Sequence, residues 1–294
     1  MKLRMHACVA ALLILTACGS EQQAEKPAPK PPPTAQEVLD TATKHLKDSG
    51  TGSYTIQNTG LNTLVEGEFD LDEPYVSQSM TMPTPDEPNG YTVYTYAYED
   101  EAFVGFSEGE LKKCYLRYED SDFSEAFDLA EGSGVNISDL KSTVPPVVEM
   151  VMDPKARGFA EGNPDNVKAD VNLVAAFTAS LPKAAFTFAD SLDEKATIPV
   201  TLQMDGDRYA GATYSLGTIF REANIDAGDV RRTGLVDKGV TPKQALNMLS
   251  SVQVTVTYES FGRTVELARP KKSRIIEVDF ENIDAGATCR AAGR

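Results

Sequence analysis

The sequence predicts an α+β fold: a large twisted antiparallel β-sheet with helices packed on its concave face. Three observations carry that reading. Six consecutive runs between residues 53 and 118 alternate apolar and polar side chains and are joined by short links. Strands so close in sequence pair antiparallel, because a parallel connection needs a crossover of a dozen or more residues. Asp205-Gly206-Asp207 then separates two further alternating runs, a hairpin signal. Finally, Val252, Val254, Val256 and Tyr258 alternate with Gln253, Thr255 and Thr257, so one face of the sheet meets a core and the other meets water.

The elements follow in order. Thr34-Ala35-Gln36-Glu37 is a capping box, in which the Thr34 hydroxyl takes an orphan amide and Glu37 reaches back. Val38, Leu39, Ala42, His45 and Leu46 continue it as a helical stripe, and Gly50 ends it. Strands are predicted over 53–59, 64–71, 74–82, 91–98, 102–107 and 113–118, with Glu99-Asp100-Glu101 as a turn. Helical signals return at Phe123, Phe127 and Ala130, and at Pro145-Pro146 ahead of VVEMVMD, where proline suits a first turn. A further helix is predicted from Asp170 to Leu181, stopped by Pro182. Strands resume over 197–204 and 208–216, and Thr241-Pro242-Lys243-Gln244 opens a capped helix running to Ser250. The chain closes with strands over 252–259 and 264–268 around Phe261-Gly262-Arg263, and a short strand near 274–280.

Ahead of this domain the composition changes. Lys2 and Arg4 precede a continuous apolar stretch, Ala7 to Leu15. It is too short for a permanent span, which needs about 20 apolar residues, and it fits a cleaved export signal. Leu15-Thr16-Ala17-Cys18 reads as a lipobox, so residues 1–17 are expected to leave and Cys18 to carry a diacylglyceryl thioether. Each buried acyl CH2 contributes about 0.8 kcal/mol, and two or three chains anchor stably where one does not. Residues 18–33 contain a proline-rich tether with nothing apolar to bury, stiffened toward polyproline II at about 3.1 Å per residue. The domain is expected over 34–282, followed by a tail over 283–294. This organisation implies an extracytoplasmic place on a bacterial cell membrane.

Charge and cysteines restrict the function classes. The formal net charge is −16, and more negative once Lys2 and Arg4 are removed. Such a chain is a poor partner for nucleic acid. The short basic pieces Arg231-Arg232 and Lys271-Lys272-Ser273-Arg274 read as solvated turns. After Cys18 only Cys114 and Cys289 remain. In an oxidising compartment an even pair suggests a disulfide, worth up to about 5 kcal/mol for so long a loop. Two free thiols are the alternative, and no CxxC is present.

Signs of catalysis are poor. His45 is the only histidine after Cys18, which leaves a triad or a His-rich metal site resting on one residue. Ser-x-x-Lys occurs at Ser138 and Ser180 without the Lys-Thr-Gly or Ser-Asp-Asn partners such sites use. The carboxylate runs Asp70-Leu71-Asp72-Glu73 and Glu119-Asp120-Ser121-Asp122 lack the calcium-loop pattern and read as turns and caps. No enzyme, cofactor or metal is expected. Tyr94, Tyr96 and Tyr98 share one face of a strand, as cross-strand packing or as an amphipathic wall at a cavity mouth or partner surface.

Lipobox, tether, helix, meander, central helices, the hairpin IPVTLQMDGDRYAGATYSL and the closing SVQVTVTYESFGRTVELARP together resemble the actinobacterial LppX/LprA/LprF/LprG lipoproteins, within the wider LolA/LolB-like half-barrel superfamily. The resemblance spans residues 34–270 by pattern rather than identity. It implies a half-barrel with helices plugging its concave side, and in several members a hydrophobic cavity for acyl chains of lipids or glycolipids. This chain departs from the pattern in being longer and more acidic, notably through 217–250 and the tail with Cys289. If an apolar ligand lies on the concave face, the inward-alternating Val76, Met80, Met82, Val104, Phe106, Val200, Leu202, Met204, Val254 and Val256 are the lining candidates. The expected function is sequestration of a lipid or glycolipid between sheet and helices. The other expectation is a filled core in a lipoprotein that binds an envelope protein, as a sensor or assembly factor.

Overall fold

A computed structural model describes residues 31–73, 75–82, 91–106, 114–119, 144–181, 192–232, 239–266 and 268–277. The chain divides into Met1–Pro32 and a compact unit, Pro33–Arg294. That unit opens with helix α1, Ala35–Ser49. Its N-terminus is the capping box read from the sequence: the Glu37 amide donates to Thr34 Oγ1 at 3.2 Å, and the Thr34 amide donates to Glu37 Oε2 at 2.7 Å. Gly50 closes it with φ 67°, a conformation that costs a glycine little.

Strands β1 Thr51–Thr59, β2 Thr63–Asp70, β3 Tyr75–Met82, β4 Tyr91–Tyr98, β5 Glu101–Phe106 and β6 Tyr115–Glu119 follow as the expected meander. Next come helix α2 Pro146–Glu149, hairpin β7 Lys155–Ala160 and β8 Asn163–Asn172, and helix α3 Leu173–Ser180. The second hairpin is β9 Thr197–Asp205 and β10 Arg208–Ser215, followed by α4 Leu216–Glu222, α5 Ala227–Arg232 and α6 Pro242–Ser250. Strands β11 Gln253–Glu259 and β12 Ile275–Glu277 complete the unit.

The described strands make one 12-stranded sheet in the order β12-β6-β5-β4-β3-β2-β1-β11-β10-β9-β8-β7. It is an open α+β half-barrel sheet with helices against one face. Strand β11 joins the two meanders: Ile56 lies opposite Val256 on one side and Tyr214 opposite Val254 on the other. Helix α1 packs on β7 and β10, α3 on β1, β8 and β9, and α4 on β9 and β10. Buried tyrosines tie helices to sheet on this inner face. Tyr209 Oη lies 2.7 Å from Thr43 Oγ1, Tyr214 Oη lies 2.9 Å from Ser180 Oγ, and Tyr258 Oη donates to the Val147 carbonyl at 2.6 Å. Each ring supplies apolar area while its hydroxyl finds the partner a buried polar group requires.

Several elements differ from the sequence reading. The β7–β8 hairpin has no counterpart in the sequence reading: Val167, Ala169 and Val171 alternate into the core, but bulges at Ala156/Gly158 and Phe159/Ala160 shift the register against the edge strand β7. The third helix starts at Leu173, not Asp170. Residues 170–172 finish β8, and Asn172 Oδ1 caps the helix by accepting from the Ala175 amide at 2.9 Å. Of the strand expected over 264–268, the described residues 264–266 and 268 lie in no strand, and β12 is parallel to β6, with Ile275 opposite Tyr115. Helices α4 and α5, between Leu216 and Arg232, have no counterpart in the sequence reading. The helix expected around Phe123, Phe127 and Ala130 lies outside the described residues.

The segment after β11 crosses the outer face instead of pairing in the sheet. Tyr75, Tyr98 and Phe103 form a separate apolar cluster there, with Val265 and Ile275 packed against it. Tyr98 Oη donates to the Ala268 carbonyl at 2.7 Å, and the Ala268 amide donates to Tyr75 Oη at 3.3 Å. The Arg269 guanidinium stands 4.3 Å from the Tyr98 ring centroid. Buried Glu101 accepts from Arg117 Nε at 2.8 Å and also from Arg269. A buried carboxylate that loses a charged donor keeps its desolvation cost. Arg117→Met is therefore expected to destabilise by about 2–3 kcal/mol, read as a lower denaturant midpoint. A midpoint equal to the parent's would show that Arg269 alone suffices.

Candidate functional site

The inner face is built from cross-strand rows. Ile56, Val65, Met80 and Val93 align across β1 to β4, and Phe69, Val76, Ala97 and Ala102 align across β2 to β5. Between them runs a more polar row, Tyr54, Gly67, Gln78, Thr95, Val104 and Leu116. A Cβ on Gly67 would sit 2.3 Å from Tyr54 Cζ, so the glycine lets the Tyr54 ring cross β2. Its hydroxyl then donates to Gln78 Oε1 at 3.1 Å.

Of the lining candidates, Val76, Val104, Val200, Leu202, Met204, Val254 and Val256 are buried in one apolar cluster, and half-buried Met80 packs against it. Met82 and Phe106 end β3 and β5, with side chains outside the described residues. The set divides in two. Val200, Leu202 and Met204 on β9, with Val254 and Val256 on β11, belong to the helix-covered half of the sheet. Val76, Met80 and Val104 belong to β3–β5, where no helix among the described residues packs comparably. Val65, Phe69, Val93, Ala97 and Leu116 share that second half and were missed, although the same alternation marks them.

The remaining expected sites separate as follows. Cys18 and Cys289 lie outside the described residues, and Cys114 is buried just ahead of β6. His45 is half-buried on α1, its Nδ1 3.7 Å from Asp207 Oδ2. Ser180 donates to the Ala176 carbonyl at 2.6 Å within the Tyr214 contact, a structural role. Ser138, Lys141 and Lys183 lie outside the described residues. Asp70 Oδ1 takes the amides of Asp72 and Glu73 at 2.9 and 3.0 Å, the turn expected of it.

Burial sets the phenol chemistry. Tyr54, Tyr209, Tyr214 and Tyr258 are pushed well above the ordinary value of 10.0 by desolvation. Tyr96 and Tyr98 are pushed up to about 12, first by burial and then by neighbouring Tyr115 and Tyr75 respectively, with Arg269 pulling Tyr98 back. The folded state thus keeps protons that the unfolded chain releases near pH 10. This stability is fully present below pH 10 and is lost as pH rises toward 12. Alkaline titration should show phenolate absorbance rising together with loss of the near-UV dichroism. Full phenolate formation near pH 10 with tertiary structure intact would contradict the buried placement.

On the opposite, outer face an open groove of about 360 Å³ lies over β11, β1, β2, β3 and β4. Tyr94 and Tyr96 border it, while Tyr98, on the same face, is covered by the segment carrying Ala268 and Arg269.

No protein-family model and no curated protein matches this sequence. Solved structures similar to it include Mycobacterium tuberculosis lipoprotein LppX, at 13% identity and TM-score 0.35, over 80% of this chain and 98% of that one. An uncharacterized conserved protein from Thermus thermophilus is similar at 12% identity and TM-score 0.37, over 83% of this chain and 99% of that one. The half-barrel architecture stated above rests on this chain's own strand order.

Proposed function

We propose that this chain is a lipoprotein, anchored through Cys18 to the extracytoplasmic face of a bacterial cell membrane, that holds an apolar or amphiphilic ligand such as a lipid or glycolipid. The observation that carries the reading is the continuation of the apolar inner face over β2–β6, beyond the strands that α1, α3 and α4 cover. Acyl chains laid there would gain about 0.8 kcal/mol per buried CH2. The proline-rich tether would give the domain reach from its anchor. A Cys114–Cys289 bond belongs to the same proposal. Strand β12 runs beside β6, and the residues between 277 and 289 span up to about 40 Å when extended, enough to return to Cys114.

A second reading, a filled core in a lipoprotein that binds an envelope protein, is favoured by one observation. Val104 is 1% exposed and Val93 4% exposed, so this half of the inner face is already covered. Two substitutions separate the readings. In an exported protein carrying Cys18→Ala, any lipid extracted is ligand rather than anchor. Val254→Phe, under the helices, should overpack and cost roughly 1–3 kcal/mol. Val104→Phe should displace co-purified lipid with little change in melting. If extraction yields no lipid and both variants are equally destabilised, the carrier reading fails and the filled core stands.

A further inference from the structure

The groove on the outer face lies on the side of the sheet opposite the inner apolar face. Its floor is four hydroxyl side chains in two rows: Ser53 and Ser77 flank Glu68, and Thr55 and Ser79 flank Glu66, each opposite its neighbour across β1, β2 and β3. Tyr96 lies opposite Ser77 and Tyr94 opposite Ser79, so each row ends on a half-buried phenol ring. Glu259, opposite Ser53 on β11, closes the other end. Among the described residues, no lysine or arginine lines the groove.

We propose that this groove binds a neutral saccharide. The donor and acceptor inventory selects that class. Serine, threonine and tyrosine hydroxyls both donate and accept, whereas the three carboxylates only accept. A polyol presents both functions and matches such a mixture, with the carboxylates taking the stronger, charge-assisted bonds from sugar hydroxyls. Tyr94 and Tyr96 supply ring surface for the C–H faces of the sugar, with hydroxyls at the wet edge. An anionic sugar or phosphate would meet Glu66, Glu68 and Glu259 with no cation among the described lining residues to offset them. A multivalent amine would satisfy the carboxylates but carries no acceptor for the hydroxyls, of which Ser53 already donates to the Glu259 carbonyl at 3.3 Å. A metal ion is disfavoured by spacing, since no three His, Cys, Asp or Glu side chains among the described residues gather as ligands. The volume of about 360 Å³ lies within the range of small-ligand sites, roughly 300–1,000 Å³.

The test is isothermal titration of the intact exported protein with maltotetraose, cellotetraose and linear mannotetraose, beside spermidine. At least one saccharide should bind, with an affinity that stays constant as ionic strength rises. Glu68→Gln and Tyr94→Ala should each weaken it about tenfold or more, while Phe159→Ser, at an exposed position on β7, leaves it unchanged. Glu68 is exposed, so Glu68→Gln reads the site without threatening the fold. Failure of all three saccharides overturns the proposal. So does binding that ignores both groove variants, or salt-sensitive binding of spermidine alone. Glu68 and Tyr94 alternate with the inward residues Phe69 and Val93, so this result is independent of whether the inner face holds lipid.

Discussion

Replacing Phe177 with alanine is expected to remove about 3–5 kcal/mol of folding stability. Phe177 is fully buried on α3, with Leu173, Ala175, Ala176 and Ser180 buried around it. A helix apolar on every side is a core element rather than a surface one. Alanine leaves a void between α3 and the sheet, and neighbours anchored by their own contacts close it only in part. Domains of this kind have about 5–15 kcal/mol in total, so the variant should sit near its unfolding threshold at ordinary temperature. Denaturant unfolding, with the slope unchanged and the midpoint lowered, is the measurement. A loss under about 1 kcal/mol would mean that α3 can be repacked, and a helix that loose would also be free to admit a ligand.

Cys18→Ala is expected to abolish membrane retention and acyl labelling while the exported domain keeps its far-UV signature and melting temperature. The physical reason is separation. The anchor acts through acyl chains on one sulfur, and the tether between Cys18 and Thr34 contains no apolar pattern that could belong to the core. Fractionation of cells given a palmitate analogue reads the first effect, and thermal melting of the released protein reads the second. Continued labelling of the variant would refute the lipobox. A lowered melting temperature with labelling lost would show instead that the tether packs on the domain.

Most of the sheet was legible because its signals are local. Capping at Thr34 and Thr241 needs a side chain and an amide three residues apart, and both boxes are present. The meander from β1 to β6 and the β9–β10 hairpin follow a period of two that one buried face enforces. Legibility failed where an element's environment is set elsewhere. Residues 170–172 look helical only because β8 passes directly into α3. In the edge hairpin β7–β8 the bulges shift the register, and Val167, Ala169 and Val171, which do alternate into the core, are too short a run to stand out from the helix that follows. Residues 264–268 resemble a strand because Val265 must be apolar, yet that residue packs against Tyr98 and its neighbours on the outer face.

The candidate sites divide in the same way. The alternation of Val76, Met80, Val104, Val200, Leu202, Met204, Val254 and Val256 already placed them on one face, and that follows from strand geometry alone. Which of them lie beneath helices depends on where α1, α3 and α4 dock, a matter of long-range packing that no local pattern carries. Tyr94, Tyr96 and Tyr98 shared a face in the sequence too. Only the path of the segment carrying Ala268 and Arg269 separates the buried Tyr98 from the two rings that border the groove. By itself the chain's sequence determined the strands, the caps and the inward residues, because each follows from contacts within a few positions. Tertiary structure alone decided the sheet order, the parallel β12, the Glu101 clamp and the outer groove, because each needs segments distant in the chain: β11 between β1 and β10, β12 beside β6, Arg269 on Glu101, and Glu259 at the end of the groove.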